Sequence, residues 1–102
     1  MKNILIALFL LVPPFALAGV HLSPSAVPDN LHVYNQNGFT YVDHVAQHCS
    51  SKRYYIDPNH KAYDQIVAIL LSAQVAGRKV VLRYDGCVNR GTQGKVIGVY
   101  LK

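Results

Sequence analysis

The sequence predicts a small α+β domain, in which about five strands form a sheet or partly open barrel with one helix packed on it. Two observations support this class. Short segments rich in tyrosine and β-branched residues lie on both sides of one segment with helical spacing, in the order β-β-β-α-β-β. The 102-residue chain also has room for only one domain once its apolar start is set aside.

Residues 1–18 are predicted to be a cleaved signal peptide. Lys2 supplies a positive charge, the apolar run Ile4 to Val12 follows, and Ala16-Leu17-Ala18 is a small-x-small cleavage site. The run is well short of the roughly 20 residues that span a bilayer, so we expect export to the periplasm or secretion, without a membrane span. The predicted organisation is a signal peptide over 1–18, an N-terminal arm over 19–30 and a single domain over 31–102.

Three strands are predicted before the helix. Leu31 to Tyr34 forms the first, and Asn35 to Gly38 is a turn whose Asn-Gly pair is typical of a tight hairpin. Residues 39–45 alternate as the returning strand, and Arg53 to Ile56 forms the third.

The helix is predicted to begin at the N-cap Asp57, with Pro58 in its first position, and to end at Gly77. Val67, Leu71 and Val75 lie outside the main apolar stripe, so the helix has a second apolar face. Contact with another protomer and ordinary exposure are the alternatives for that face. The main stripe consists of Ala62, Ile66, Ile69, Leu70, Ala73 and Ala76.

After the helix, residues 79–84 are predicted to be a strand, and a loop starts at Asp85-Gly86 and runs to Gly94. Residues 95–101 form the last strand. Cys49 and Cys87 both lie in the exported part, which favours one disulfide, since thiols oxidise in that compartment. The bond would close a loop of about 40 residues and contribute about 3–4 kcal/mol. Two free thiols or half of a metal site are the alternatives.

Catalytic and metal chemistry are not expected. His44 and His48 are four residues apart beside Cys49, but they lie on a strand that runs into a turn, and no further cluster completes a ligand set. The chain has no glutamate, and no nucleophile elbow surrounds a serine. We therefore predict no enzyme activity, no metal and no cofactor.

Charge and tyrosine content point instead to binding. The formal net charge is +5, which favours acidic partners such as sialylated glycans, anionic lipids or acidic proteins, although a generic basic surface is the alternative. Seven tyrosines suit stacking on sugars and contacts with proteins, although tyrosine is also a good sheet former. The candidate ligand-binding residues, chosen at sheet edges and loops, are Tyr34, Asn35, Asn37, Tyr41, His44 and Arg83.

The second half of the chain resembles a bacterial protein family. The shared layout is Tyr55-Ile56-Asp57-Pro58, an Ala/Leu-rich helix, Gly77-Arg78-Lys79-Val80, a strand, a cysteine and Lys95 to Leu101. This layout is similar to the receptor-binding B subunits of subtilase-cytotoxin-like and pertussis-like toxins and to related small secreted proteins, over about half of the mature chain. The resemblance implies an OB-like fold, a ring of five subunits with helices around its pore, and binding of cell-surface glycans.

The chain is shorter than typical B subunits, and none of the family's sugar-contacting residues is transferred to a position here. The leading prediction is an exported, non-catalytic module that binds cell-surface glycans as a homo-oligomer, with no indication of a toxic A subunit. The alternative is a monomeric periplasmic inhibitor or immunity-type protein that binds another protein. An OB-type nucleic-acid binder is a third hypothesis. It needs aromatic and basic residues on one sheet face, and we do not favour it outside the cytoplasm.

Overall fold

The computed structural model describes residues 19–102, so the predicted signal peptide lies outside the described residues. Six strands and one helix make up this part of the chain. Their bounds are β1 Val20–Leu22, β2 Asp29–Val33, β3 Thr40–Asp43, β4 Arg53–Ile56, α1 Tyr63–Ala76, β5 Val80–Val88 and β6 Gln93–Leu101.

All six strands belong to one mixed sheet in the order β1-β5-β6-β4-β3-β2. Only the β4–β6 pair is parallel, as expected for strands whose connection contains a helix. The two edge strands β1 and β2 follow each other in the chain. The segment between them stays on the sheet border, where Ser23 N donates to Leu82 O at 2.8 Å and Ala26 forms a bridge with Val80. The sheet therefore curls into a partly open, OB-like barrel, which confirms the predicted fold class.

The helix packs on the inner side of this curled sheet and closes part of the opening. Gln74 Oε1 accepts a hydrogen bond from Leu31 N at 2.9 Å, which ties α1 to the edge strand β2. The buried core combines one stripe of the helix with alternate residues of the strands. Its members are Val42, Cys49, Tyr54, Ile56, Ile66, Leu70, Ala73, Val80, Leu82, Tyr84 and Val96.

The predicted helix start was wrong. Asp57 instead organises a turn, since its Oδ1 accepts from Asn59 N at 2.9 Å and its carbonyl oxygen from His60 N at 3.0 Å. Aspartate stabilises both helix starts and such turns in the same way, so the sequence did not separate the two. The predicted end was right: Gly77 adopts a left-handed conformation at φ 67°, and Arg78 N bonds to Ala73 O at 2.9 Å.

Two strand predictions also need correction. Strand β1 lies inside the predicted arm, because its stability comes from pairing with Arg83 to Asp85 and not from a pattern of its own. Strand β5 continues to Val88, through the predicted loop start at Asp85-Gly86. Gly86 has a φ of +70° at the point where the register of the β5–β6 pair shifts. The strand therefore continues through a local irregularity at Gly86 and does not end there.

The hairpin and the disulfide were predicted correctly. Gly38 N donates to Asn35 O at 3.0 Å, and Tyr34 N donates to Phe39 O at 2.7 Å. Cys49 and Cys87 are bonded to each other, as expected for a protein of an oxidising compartment. Within residues 19–102, no helix combines the length and apolarity needed to cross a membrane.

Candidate functional site

The outer face of strands β3 and β4 carries a cluster of aromatic side chains. Thr40 and Val42 are buried on the inner face, and successive side chains of a strand alternate between faces. Tyr41 therefore lies on the outer face, and its pairing with Tyr55 of β4 places that ring beside it. We call Tyr34, Phe39, Tyr41, Arg53 and Tyr55 together the aromatic surface.

The rings of the aromatic surface hold one another in place. The centroids of Tyr41 and Tyr55 are 5.7 Å apart, and those of Tyr34 and Tyr41 are 6.2 Å apart with an edge-to-face angle of 79°. Phe39 meets Tyr55 edge to face at 5.8 Å. These separations lie within the range of stabilising aromatic pairs. Tyr34 is the outermost ring, with 72% of its surface exposed.

Arg53 lies beside these rings with part of its guanidinium unused. Its Nε donates to Asp43 Oδ1 at 3.1 Å, and its Cζ lies 6.0 Å from the centroid of the Tyr41 ring. Asp43 also accepts a hydrogen bond from Asn30 Nδ2 at 3.3 Å, which holds the carboxylate in place. No residue in the described part of the chain accepts a hydrogen bond from the two terminal nitrogens of Arg53. Those nitrogens can therefore donate to a ligand.

A shallow pocket of about 220 Å³ lies among Tyr34, Tyr41, Arg53 and Gln93. Tyr34 stands at the start of the β2–β3 hairpin turn, and Gln93 follows the turn between β5 and β6. The pocket is smaller than the roughly 300–1,000 Å³ of sites for drug-sized molecules, so it suits a single ring-sized group.

Tyr55, which lies beside Tyr41 on the aromatic surface, keeps a neutral hydroxyl. Burial raises the pKa of Tyr55, and the negative charge of Asp57 and the neighbouring Tyr41 raise it further. The phenol therefore keeps its proton and can act as a hydrogen-bond donor.

Of the six predicted ligand-binding residues, Tyr34 and Tyr41 meet at the pocket. Asn35 and Asn37 lie next to it in the hairpin turn. The side chain of Asn35 is used internally, because its Oδ1 accepts from Asn37 N at 3.1 Å and from Phe39 N at 3.3 Å. Asn37 is exposed at the turn.

The other two predicted residues lie elsewhere. His44 is buried, and its Nε2 lies 3.2 Å from Ala26 O and 3.1 Å from Val80 O. The ring therefore links the segment between β1 and β2 to the start of β5. Arg83 is exposed on β5, which strands β6 and β4 separate from β3. Arg83 pairs with Gly98 of β6, five residues along that strand from the pocket residue Gln93, and it does not line the pocket.

Sequence reasoning missed Arg53, Tyr55 and Gln93. Alternation in β4 could have revealed the first two, because a buried Tyr54 between them places both on the opposite face. Gln93 had no local signal, since only the parallel pairing of β4 with β6 brings it near Arg53.

The buried His44 predicts a pH dependence of stability. Burial lowers its pKa from the ordinary value of 6.5, against the opposing effect of its two carbonyl partners. As the pH drops below 6.5, the imidazole of His44 takes up a proton in the unfolded chain before it does so in the folded protein. The free energy of unfolding should therefore fall as the pH drops. The fall from this residue ends once the folded imidazole also protonates. Urea unfolding between about pH 7 and pH 5 measures it.

The matched control is His44→Gln, which keeps a side-chain donor but does not titrate. We expect the variant to lose less stability over this pH range than the wild type. The other four histidines are common to both proteins and cancel in the comparison. Parallel pH profiles for the two proteins would contradict the prediction.

Within residues 19–102, no three histidine, cysteine, aspartate or glutamate side chains are grouped as metal ligands. Comparison with known protein families, with curated proteins and with solved structures finds no match to this chain. The geometry of the aromatic surface therefore carries the functional argument.

Proposed function

We propose that this protein is an exported, non-catalytic binding module whose aromatic surface binds a glycan. The observation that carries the proposal is the pocket bordered by Tyr34, Tyr41, Arg53 and Gln93 on the outer face of the barrel. In OB-like barrels this face and the two flanking turns are a common place for oligosaccharides and oligonucleotides.

The chemistry of the pocket suits a sugar. A pyranose ring has an apolar face of C–H groups that packs on a flat aromatic ring, and tyrosine offers such a ring together with a hydroxyl. Tyr34 and Tyr41 would contact that face, while Arg53 and Gln93 would bond to the hydroxyls. The free terminal nitrogens of Arg53 also match a carboxylate, so sugars that carry an acidic group should bind best.

The same surface supports a single-stranded nucleic acid less well. Such ligands require aromatic rings combined with a positively charged groove that follows the phosphates. Among the residues that line the pocket, Arg53 is the only cation, and one cation does not form a groove that follows several phosphates. Fluorescence anisotropy with labelled single strands should accordingly detect no binding that depends on salt concentration.

The first functional prediction concerns Tyr34→Ala. A glycan array probed with the oxidised mature domain should identify a ligand, and isothermal titration should then show about 10-fold or greater loss of affinity in the variant, in line with the loss of one stacking ring. Tyr34 is exposed and outside the core, so the fold should be unaffected. Arg53→Gln should reduce selectively the binding of acidic glycans.

Tyr100→Ala is the matched control, because Tyr100 is 44% exposed but lies on β6 opposite Val81, away from the pocket. Its affinity should equal that of the wild type. An array without signal above background would remove the glycan proposal. A monomer that captures one tight protein partner would then favour the inhibitor alternative.

We also propose that the binding form is a homo-oligomer. Leu71 and Val75 are 50% and 79% exposed on the outer side of α1, an apolar stripe that association of several chains would cover. Light scattering of the mature domain tests this directly. A mass near five protomers would support the ring that the family resemblance implies, and a monomer would contradict it.

A further inference from the structure

The first described residues, Gly19, Val20 and His21, directly follow the predicted cleavage site at Ala18. We propose that this new N terminus is a site for Cu²⁺, and also for Ni²⁺, that binds the ion through four nitrogens. These are the α-amino group of Gly19, the backbone nitrogens of Val20 and His21, and Nδ1 of His21. The proposal rests on cleavage after Ala18 and is independent of glycan binding.

The chemistry follows from the position of the histidine. Cu²⁺ and Ni²⁺ accept a square plane of nitrogen ligands, and imidazole is a good ligand for both. A free amine, two intervening backbone nitrogens and an imidazole on the third residue form three fused chelate rings around one ion. The ion displaces the protons of the amine and of the two amides, so binding releases protons. Zn²⁺ favours a tetrahedral ligand set and does not match this plane.

The side chain of His21 is available for such a role. No residue of the described chain makes a hydrogen bond to either of its ring nitrogens, and the ring lies stacked on that of His48, with the centroids 3.7 Å apart. It differs in this from the other histidines. Each of those has a ring nitrogen in a hydrogen bond, namely His32, His44, His48 and His60.

The backbone of β1 leaves most of the other nitrogens free. Gly86 N donates to Gly19 O at 3.2 Å, and Ser23 N donates to Leu82 O at 2.8 Å. Since hydrogen-bonded pairs alternate along an antiparallel ladder, His21 N faces Tyr84 and Val20 N faces the open sheet edge. Adjacent backbone nitrogens of an extended strand point in opposite directions, so metal binding requires residues 19–21 to leave the strand conformation. It therefore costs the first ladder hydrogen bonds of β1, including that from Gly86 N to Gly19 O, and the His21–His48 stack. These lie at the end of a three-residue edge strand, where local opening is easiest.

The test uses the mature protein purified after export, with its start at Gly19 verified by intact mass. Titration with Cu²⁺ at neutral pH should give one ion per chain by metal analysis after dialysis. The visible absorption and electron paramagnetic resonance should be those of a four-nitrogen square plane. An excess of Zn²⁺ should not displace the copper.

Three variants separate this site from other modes of binding. A form that retains Ala18 moves His21 to the fourth position and should lose the four-nitrogen spectrum, as should His21→Ala. His48→Ala should keep it, because His48 contributes no ligand. The proposal is overturned if the Ala18 form binds like the mature protein, if His48→Ala abolishes binding, or if the exported chain starts elsewhere.

Discussion

Removal of the Cys49–Cys87 disulfide in a Cys49→Ala/Cys87→Ala variant should lower the free energy of unfolding by about 4 kcal/mol. The two residues are 38 positions apart, so the bond removes much of the freedom of the unfolded chain. It also connects the irregular segment between β3 and β4 to strand β5. A loss of this size approaches the whole stability of a small domain, and urea unfolding of both proteins would measure it.

The reductant provides the control for this prediction. Reduction of the wild type should bring its unfolding midpoint down to that of the double variant, while the same reductant should leave the variant unchanged. If the double variant and the reduced wild type are both largely unfolded, their folded fractions, measured by circular dichroism, replace the midpoints in this comparison. A wild type that keeps its midpoint in reductant would show that the disulfide contributes little.

The second large effect is expected for Gly94→Ala on β6. A Cβ atom at this position would lie 2.7 Å from Cδ2 and Cε2 of Tyr54 and 3.1 Å from Cδ2 of Tyr84. Both rings are buried and cannot move away freely. Overpacking of this kind costs about 3 kcal/mol, so the variant should unfold at a clearly lower urea concentration.

Gly98→Ala is the matched substitution on the same strand. Its Cβ would lie 3.6 Å from Arg83 Cβ, an ordinary contact distance, so its stability should change by less than about 0.5 kcal/mol. Equal losses in the two variants would mean that general glycine effects, and not the aromatic rings, set the cost at Gly94.

The space beside Gly94 matters because the two buried tyrosines organise the segment after β3. Their rings meet edge to face, with centroids 5.3 Å apart. Tyr54 Oη donates to Val45 O at 2.6 Å, and Tyr84 Oη donates to Gln47 Oε1 at 2.9 Å. Burial, together with the neighbouring Tyr84, raises the pKa of Tyr54 to about 12, so its hydroxyl keeps the donated proton. These tyrosines support the fold, whereas Tyr34 and Tyr41 remain free for binding.

The candidate site was partly predictable. Tyr34 and Tyr41 stood out because exposed tyrosines beside an Asn-Gly hairpin are visible in the local pattern. His44 was misplaced, since alternation along its strand does not reveal which neighbour covers the end of that strand. Arg53 was overlooked, although alternation along β4 places it on the outer face. Its role in the site depends on its contacts with Tyr41 and Asp43 of β3, which β4 itself does not reveal.

The elements that could be predicted are those whose causes are local in the chain. These are the hairpin turn at Asn35 to Gly38, the core of strands β2 to β4, the helix end at Gly77 and the pairing of the only two cysteines. Other features depend on partners that are distant in the chain, and they became visible only in the folded protein. Strand β1 forms because it pairs with the exposed edge of β5. Gln93 lies near Arg53 because β4 pairs in parallel with β6. Such contacts join residues far apart in the chain, and no local preference of either partner specifies them.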